Sequence, residues 1–185
     1  MQVFALTALV VYWFAWGYPF IFRAPHHQKR ESVTVAPPSQ VGLLLEGISI
    51  FMAFAFRLPA YAAPGWARVI PALILGAVAA IFAWTAVQHL GKQFRIQAGL
   101  YEDHELVRTG PYAIVRHPIY LSLLAILSST LLILTPWRWA LVSLAIFFVG
   151  TEIRVHAEDK LLASRFGEEF EAYRQKVPAY LPFVR

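Results

Sequence analysis

The hydrophobic positions of this chain fall in long runs separated by short polar stretches. A helix that crosses a bilayer needs about 20 apolar residues, and the runs are of that order. Five membrane helices are expected. They cover Val3 to Phe22, Val41 to Leu58, Trp66 to Leu90, Pro118 to Leu134, and a fifth that starts near Trp137 and continues past the membrane to about Arg165. Pro118 suits a first helical turn, and Thr135-Pro136 makes a tight hairpin. A last short amphipathic helix is expected over Glu168 to Lys176. Between the runs lie a linker from Arg23 to Gln40, broken by Pro25, Pro37 and Pro38, a turn from Pro59 to Gly65, and the longest polar stretch, Gly91 to Arg116. The expected fold is therefore all-α: an integral membrane protein of about five transmembrane helices with a C-terminal cytoplasmic helix. It reads as one domain over residues 1–185, with three membrane helices in 1–90 and the remainder in 91–185.

Composition supports that reading. Apolar residues make up 58% of the 185, against about 45–50% in soluble domains, and the mean hydropathy is +0.54. The formal net charge is +5. Arg57, Arg68 and Arg138 fall on one side of the expected membrane, and the other thirteen of the sixteen Lys and Arg fall on the opposite side. The positive-inside rule then puts the N-terminus outside and the C-terminus in the cytoplasm. It also accounts for the basic balance without nucleic acid. The absence of cysteine excludes disulfides, thiolate metal sites and Cys nucleophiles. The first apolar run has no basic segment before it and no small-residue cleavage site after it, so it reads as a retained helix.

Two charged clusters carry the candidate chemistry. The stretch GPYAIVRHPIY, Gly110 to Tyr120, stands directly against the apolar run Leu121 to Leu134. Cationic side chains near hydrocarbon are tolerated where they meet water, a partner or a ligand. Arg116 and His117 sit where a loop becomes a helix, a place with unpaired N–H groups that favours anions. They read either as donors for a carboxylate or phosphate or as a positive-inside anchor with Tyr120 in the interfacial belt. Gly110-Pro111-Tyr112 is either a turn or a close backbone approach to a flat ligand. Glu152, Arg154, His156, Glu158 and Asp159 close the last apolar run. Arg154 and Glu158 are four apart and close enough to pair, with Glu152, His156 and Asp159 on an adjoining face. His156 and Glu152 share the same spacing, but no zinc motif accompanies them and no metal is expected. Glu46 lies inside the second helix, where an acid is a functional candidate or a hydrogen-bonded group between helices. His26, His27, Lys29 and Arg30 read as contacts to anionic headgroups, and Tyr12, Trp13, Phe14 and Trp16 as lipid-facing or interfacial. No P-loop, dinucleotide fingerprint or nucleophile elbow is present.

The order His104-x-Leu106-Val107-x-x-Gly110-x-Tyr112, Arg116-His117-Pro118-x-Tyr120, Arg154-x-x-x-Glu158-x-x-Leu161, Phe166-Gly167-x-x-Phe170-x-x-Tyr173, Val177-Pro178 and Leu181-Pro182 resembles the isoprenylcysteine carboxyl methyltransferases. It is also similar to the wider group of small phospholipid methyltransferases. The resemblance covers about Leu90 to Arg185 and leaves the first three helices without a signature. It implies methyl transfer from S-adenosylmethionine, with S-adenosylhomocysteine as product. It further implies a cofactor pocket lined by His104, Leu106, Val107, Gly110, Tyr112, His117, Pro118, Tyr120 and Glu158, completed by the C-terminal helix. Arg116, Arg154 and Glu158 would carry catalysis, the two arginines holding an acidic acceptor near the transferred methyl. The family often has two adjacent glutamates where this chain has Glu158-Asp159, which leaves the part played by Asp159 open. The implied acceptor is lipidic: an isoprenylcysteine-like or isoprenoid acid, with a lipid amine or a small thiol as alternatives. The implied setting is a bacterial or archaeal plasma membrane or the endoplasmic reticulum, with membrane lipids as the surroundings and no obligate protein partner. A phospholipid amine N-methyltransferase, an NADPH-binding protein like the sterol reductases and a nonenzymatic membrane module are the competing readings. The reductases are much longer, with about twice the membrane helices.

Overall fold

Prolines and glycines mark most of the helix limits in the computed structural model, which describes residues 2–23, 34–35, 37–59, 64–94, 99–100 and 105–182. Helix α1 (Gln2–Tyr18) gives way at Pro19, which lacks an N–H, to a wider π turn over Pro19–Arg23. Helix α2 (Pro38–Ala55) begins at Pro38 rather than Val41 and ends at Ala55 rather than Leu58. The proline pair expected as a breaker opens the helix, since proline in the first turn gives up an N–H that has no helical partner. Helix α3 (Trp66–Leu90) keeps its expected limits despite Pro71 inside it. Helix α4 (Pro118–Leu134) also starts and stops where expected. Helix α5 (Trp137–Phe166) runs one residue further than expected, and α6 (Glu168–Lys176) follows after Gly167, whose φ of 51° turns the chain between them. Acidic residues fill the first turn of α6 and Arg174 and Lys176 its last, matching the helix dipole.

Two points modify the expected architecture. Four helices, α1 with its π turn, α2, α3 and α5, are long and apolar enough to cross a membrane, whereas α4 is a shorter apolar helix of 17 residues. Among the described residues, helix is accompanied by a two-residue antiparallel ladder: β1 (Thr34–Val35) pairs with β2 (Gly99–Leu100), tying the linker after α1 to the loop after α3.

The helices pack as two close pairs, α3 with α4 and α2 with α5, and α1 lies mainly on α3. Although α4 and α5 are joined by a tight turn, they touch each other less than either touches its other neighbour. The buried face of α3 reads Val69, Ala72, Gly76, Ala79, Ala83 and Ala86. That alternation of three and four keeps one seam of small residues facing the neighbouring helices, with Gly76 under the Tyr12 ring of α1. Larger side chains from α4 (Leu123, Ile126, Leu127 and Leu131) join Ala79, Ala53 and Phe147 in the main apolar cluster.

The aromatics of α1 do not all face lipid as expected. Trp13 Nε1 donates to Thr130 Oγ1 at 3.0 Å and Trp16 Nε1 donates to Ser122 Oγ at 3.1 Å, both on α4. Hydroxyls on the neighbouring helix draw the indoles inward, because an indole N–H in contact with hydrocarbon would go unbonded. Phe14, with no polar atom, stays 76% exposed on the outer surface. At the far end of the bundle Arg68 Nη2 donates to the carbonyls of Leu131 and Thr135, at 3.1 and 2.6 Å, and so caps the C-terminus of α4. This leaves the N-terminus of α4 at the opposite end, beside the later part of α5.

Candidate active site

The site is built where α4 begins. His117 is the residue before Pro118, and its backbone carbonyl receives the first bonds of α4. The C-terminal segment comes back to meet it. Arg116 N–H donates to Pro178 O and His117 N–H donates to Ala179 O, both at 2.8 Å. Arg116 adds side-chain hydrogen bonds to the carbonyls of Arg174 and Val177. The Val177-Pro178 stretch therefore has a structural duty: it seals the start of α4 with backbone acceptors.

The imidazole of His117 is held between two carboxylates of α5. Nε2 lies 2.9 Å from Asp159 Oδ1, and Nδ1 lies 3.2 Å from Glu158 Oε2. A neutral imidazole carries one N–H and would turn a lone pair toward one of the carboxylates. Two carboxylate neighbours therefore select the imidazolium. Burial alone would lower its pKa; the hydrogen bonds to Asp159 and Glu158, together with their charges, outweigh that and hold it up at about 9. Asp159 also accepts from Arg116 Nη2 at 2.8 Å. Its part in this site is thus to join two cations of the α4 entrance to α5.

Glu158 faces the more open side. Its side chain is 25% exposed, against 12% for Asp159 and 5% for His117. The Tyr120 hydroxyl donates to Glu158 Oε1. Above the Tyr120 ring sits the Arg154 guanidinium, with Cζ 4.8 Å from the centroid, a cation–π distance. Arg154 does have an acidic partner across the bundle: Nη1 donates to Glu46 Oε2 of α2 at 2.7 Å. Arg154 also acts on Glu158, four residues along its own helix, through charge, and the packing of α2 on α5 adds Glu46, which the spacing did not suggest.

The loop side is also defined. Leu106 and Val107 are half-buried, and Tyr112 is buried. Tyr173 donates to the Tyr112 carbonyl from α6. Burial, and then the charge of Glu158, pushes the Tyr112 phenol above its ordinary range, so it stays neutral. Gly110 has φ 59°, and a Cβ there would fall 2.3 Å from His89 Nε2 of α3, so only glycine fits under that ring. His104, together with the basic linker His26, His27, Lys29 and Arg30, lies outside the described residues.

Of the expected residues, the structure gathers Arg116, His117, Tyr120, Arg154, Glu158 and Asp159 through direct contacts. Tyr112 joins them through α6, which also carries Phe170 into the interior. His156 is exposed, and Glu152 accepts from the Tyr180 hydroxyl at 2.7 Å instead of joining the cluster. Among the described residues no group of His, Asp and Glu is arranged to hold a metal ion. Sequence reasoning gave Gln93 no part. Its carboxamide is only 4% exposed and makes no hydrogen bond to the described residues.

Residues 72–164 match the family model described as the isoprenylcysteine carboxyl methyltransferase (ICMT) family. The protein-S-isoprenylcysteine O-methyltransferase of Schizosaccharomyces pombe is 34% identical over 83 residues, 45% of this chain and 35% of that protein. The enzyme of the same name from Saccharomyces cerevisiae is 38% identical over 89 residues, 44% of this chain and 34% of that protein. The cobalt-zinc-cadmium resistance protein CzcN of Cupriavidus metallidurans is 33% identical over 93 residues, 48% of this chain and 42% of that protein. Across the curated relatives the match spans between 34% and 52% of their own length.

Proposed function

Because the chain belongs to the isoprenylcysteine carboxyl methyltransferase family, we propose that it is an S-adenosylmethionine-dependent membrane methyltransferase. Its acceptor is the carboxylate of an isoprenylcysteine-like or isoprenoid lipid. The observation that carries this reading is His117 clamped between Glu158 and Asp159, with Glu158 left partly open beside Tyr120. All of these residues lie inside the matched stretch.

The residues present suit the cofactor. Glu158 offers a carboxylate to ribose hydroxyls or an amino group. The Gln93 carboxamide is a buried polar group that makes no hydrogen bond to the described residues, and a ligand with donors and acceptors would satisfy it. S-adenosylmethionine supplies an already activated methyl for in-line transfer. A carboxylate acceptor needs no general base, so the protein's task is alignment and exclusion of water. Arg116 and Arg154 place positive charge beside the acceptor acid, with their own carboxylate partners fixing them in place. His117, as imidazolium, orients Glu158 and Asp159 and moves no proton. The lipid part of the acceptor enters from the bilayer between helices, and the cofactor enters from the cytoplasm. In this reading α4 also crosses the membrane, which makes five spans, the N-terminus lies outside, and α6 is cytoplasmic.

Isothermal titration with S-adenosylhomocysteine tests the reading. Micromolar binding is expected, alongside transfer of a tritiated methyl group into a farnesylcysteine analogue. Binding of NADPH without S-adenosylhomocysteine would reverse the assignment.

A further inference from the structure

We infer that Glu46, on α2 and outside the matched stretch, is a positioning residue for this site, acting through Arg154; the inference rests on the functional reading above. Glu46 is 1% exposed. Oε2 accepts from Arg154 Nη1 at 2.7 Å and Oε1 accepts from Thr151 Oγ1 at 3.1 Å. The carboxylate thus grips α5 at two points one helical turn apart. Arg154 in turn lies on the face of Tyr120, and Tyr120 donates to Glu158. A continuous chain of contacts runs from the first helical pair to the carboxylate at the open side of the site.

The helix surfaces around Glu46 are shaped for this grip. A Cβ at Gly42 would come 2.5 Å from Arg154 Cγ and 2.5 Å from Gly150 O. The bare backbone of Gly42 is what lets the Arg154 stem lie along α2. Below Glu46, Ser49 and Ser143 exchange hydrogen bonds at 2.9 Å, each hydroxyl donating to the other's carbonyl. Gly42, Glu46 and Ser49 are spaced four and three apart, so they form one stripe on α2, and that stripe sets both distance and register against α5.

Stability alone does not explain an acid and a base in this place. Well-packed apolar side chains of similar volume hold helices together as well as a buried ion pair or better. An ionisable residue at this depth points to a use. The use available here is to hold the guanidinium in one orientation over Tyr120, so that its charge is fixed where the acceptor carboxylate must lie. Without Glu46 the guanidinium would lose the contact that fixes it across the bundle, and its charge would no longer be held in one place over Tyr120.

The test compares wild type, Glu46→Gln, Glu46→Asp and Thr151→Val, with S-adenosylhomocysteine affinity and methyl-transfer kinetics measured on each. Glu46→Gln should lower kcat by about tenfold or more while the cofactor Kd stays within about threefold. Glu46→Asp, which keeps the charge, should recover part of that loss. Thr151→Val removes only one bond to the carboxylate and should lower kcat by about two- to fivefold. Parallel loss of cofactor binding and turnover in all three variants would mean that Glu46 only supports the fold, and would overturn the inference. So would wild-type kcat and KM in Glu46→Gln. An active wild type with unaffected variants defeats this inference alone, whereas a wild type that binds no S-adenosylhomocysteine defeats the functional reading and this inference with it.

Discussion

The two helix pairs are held together by different chemistry. Between α3 and α4 the contact is small residues against large ones: Ala79 and its neighbours on α3 receive Leu123, Ile126 and Leu127 of α4. Between α2 and α5 it is a polar stripe, with Gly42, Glu46 and Ser49 facing Ser143, Gly150, Thr151 and Arg154. In lipid neither pair gains much from the hydrophobic effect, because lipid tails are as apolar as leucine. The α3–α4 pair relies mainly on summed van der Waals contact, with hydrogen bonds only to backbone carbonyls, from Ser129 Oγ to Ala72 O and from Arg68 Nη2 to Leu131 O and Thr135 O, and it tolerates small changes in shape. The polar pair relies on specific atoms, tolerates little, and ends in the arginine that lies over Tyr120. One pair is scaffold, and the other is scaffold and part of the proposed site.

The sharpest way to break this comparison is to wedge the polar pair apart. Gly150→Leu puts a side chain where even a Cβ would lie 2.7 Å from Gly42 O and 2.9 Å from Leu45 Cβ. Backbone cannot yield as a side chain tip can. The expected result is loss of folded protein, read as collapse of the monodisperse peak in detergent. Next in size is Arg154→Ala, which strands the Glu46 carboxylate at 1% exposure. Uncompensated burial of this kind costs about 3–5 kcal/mol. The variant should therefore lose stability as well as methyl transfer. Glu46→Gln with Arg154→Leu should restore most of the stability, measured by thermal melting, and none of the turnover. If Arg154→Ala melts like wild type, the polar pair is no more exacting than the apolar one.

Much of this was legible in the sequence, and the misses share a cause. The limits of α3, α4 and α6 follow from Gly65, Gly91, Pro118, Pro136 and Gly167, which act locally. The meeting of Arg116 and His117 with Glu158 and Asp159 was legible because charge at the end of one apolar run needs a partner at the end of another. The Glu46 partner of Arg154 was not, because Glu46 is 108 residues away in the chain and only helix packing brings the two together. Trp13 and Trp16 misled for the same reason: an indole reads as interfacial until a hydroxyl on another helix is known to face it. The expectation of about five spans rested on hydropathy, and α4, at 17 residues, is as short as α1 without the π turn that lengthens the first span.

A middle-sized effect separates the charged region from the apolar one by pH. His117 has its pKa raised from the ordinary 6.5 to about 9. A raised pKa means the folded state binds the proton more tightly than the unfolded state does. The stabilisation is therefore complete below about pH 6.5 and is lost as pH climbs toward 9. Melting temperature should fall across that window in wild type, and His117→Gln should remove the fall. Retention of the slope in His117→Gln would assign it to another group.

The smallest expected effect belongs to the apolar pair. Ile126 is fully buried in the main cluster, which also holds Ala79 of α3. Ile126→Val removes one methylene and leaves the polar contacts of α4 untouched. Such a change typically costs about 0.5–1.5 kcal/mol, largely through contacts that are not replaced. Thermal melting should record that modest loss. Methyl-transfer kcat and S-adenosylhomocysteine affinity should both stay within about twofold of wild type, because van der Waals contact loosened in one place is shared among many neighbours. A large drop in kcat from so slight a change would show that the α3–α4 contact also sets the geometry of the site. The distinction between an apolar scaffold pair and a polar working pair would then fail, and Tyr120, near the start of the same helix, would be the first residue through which to trace the coupling.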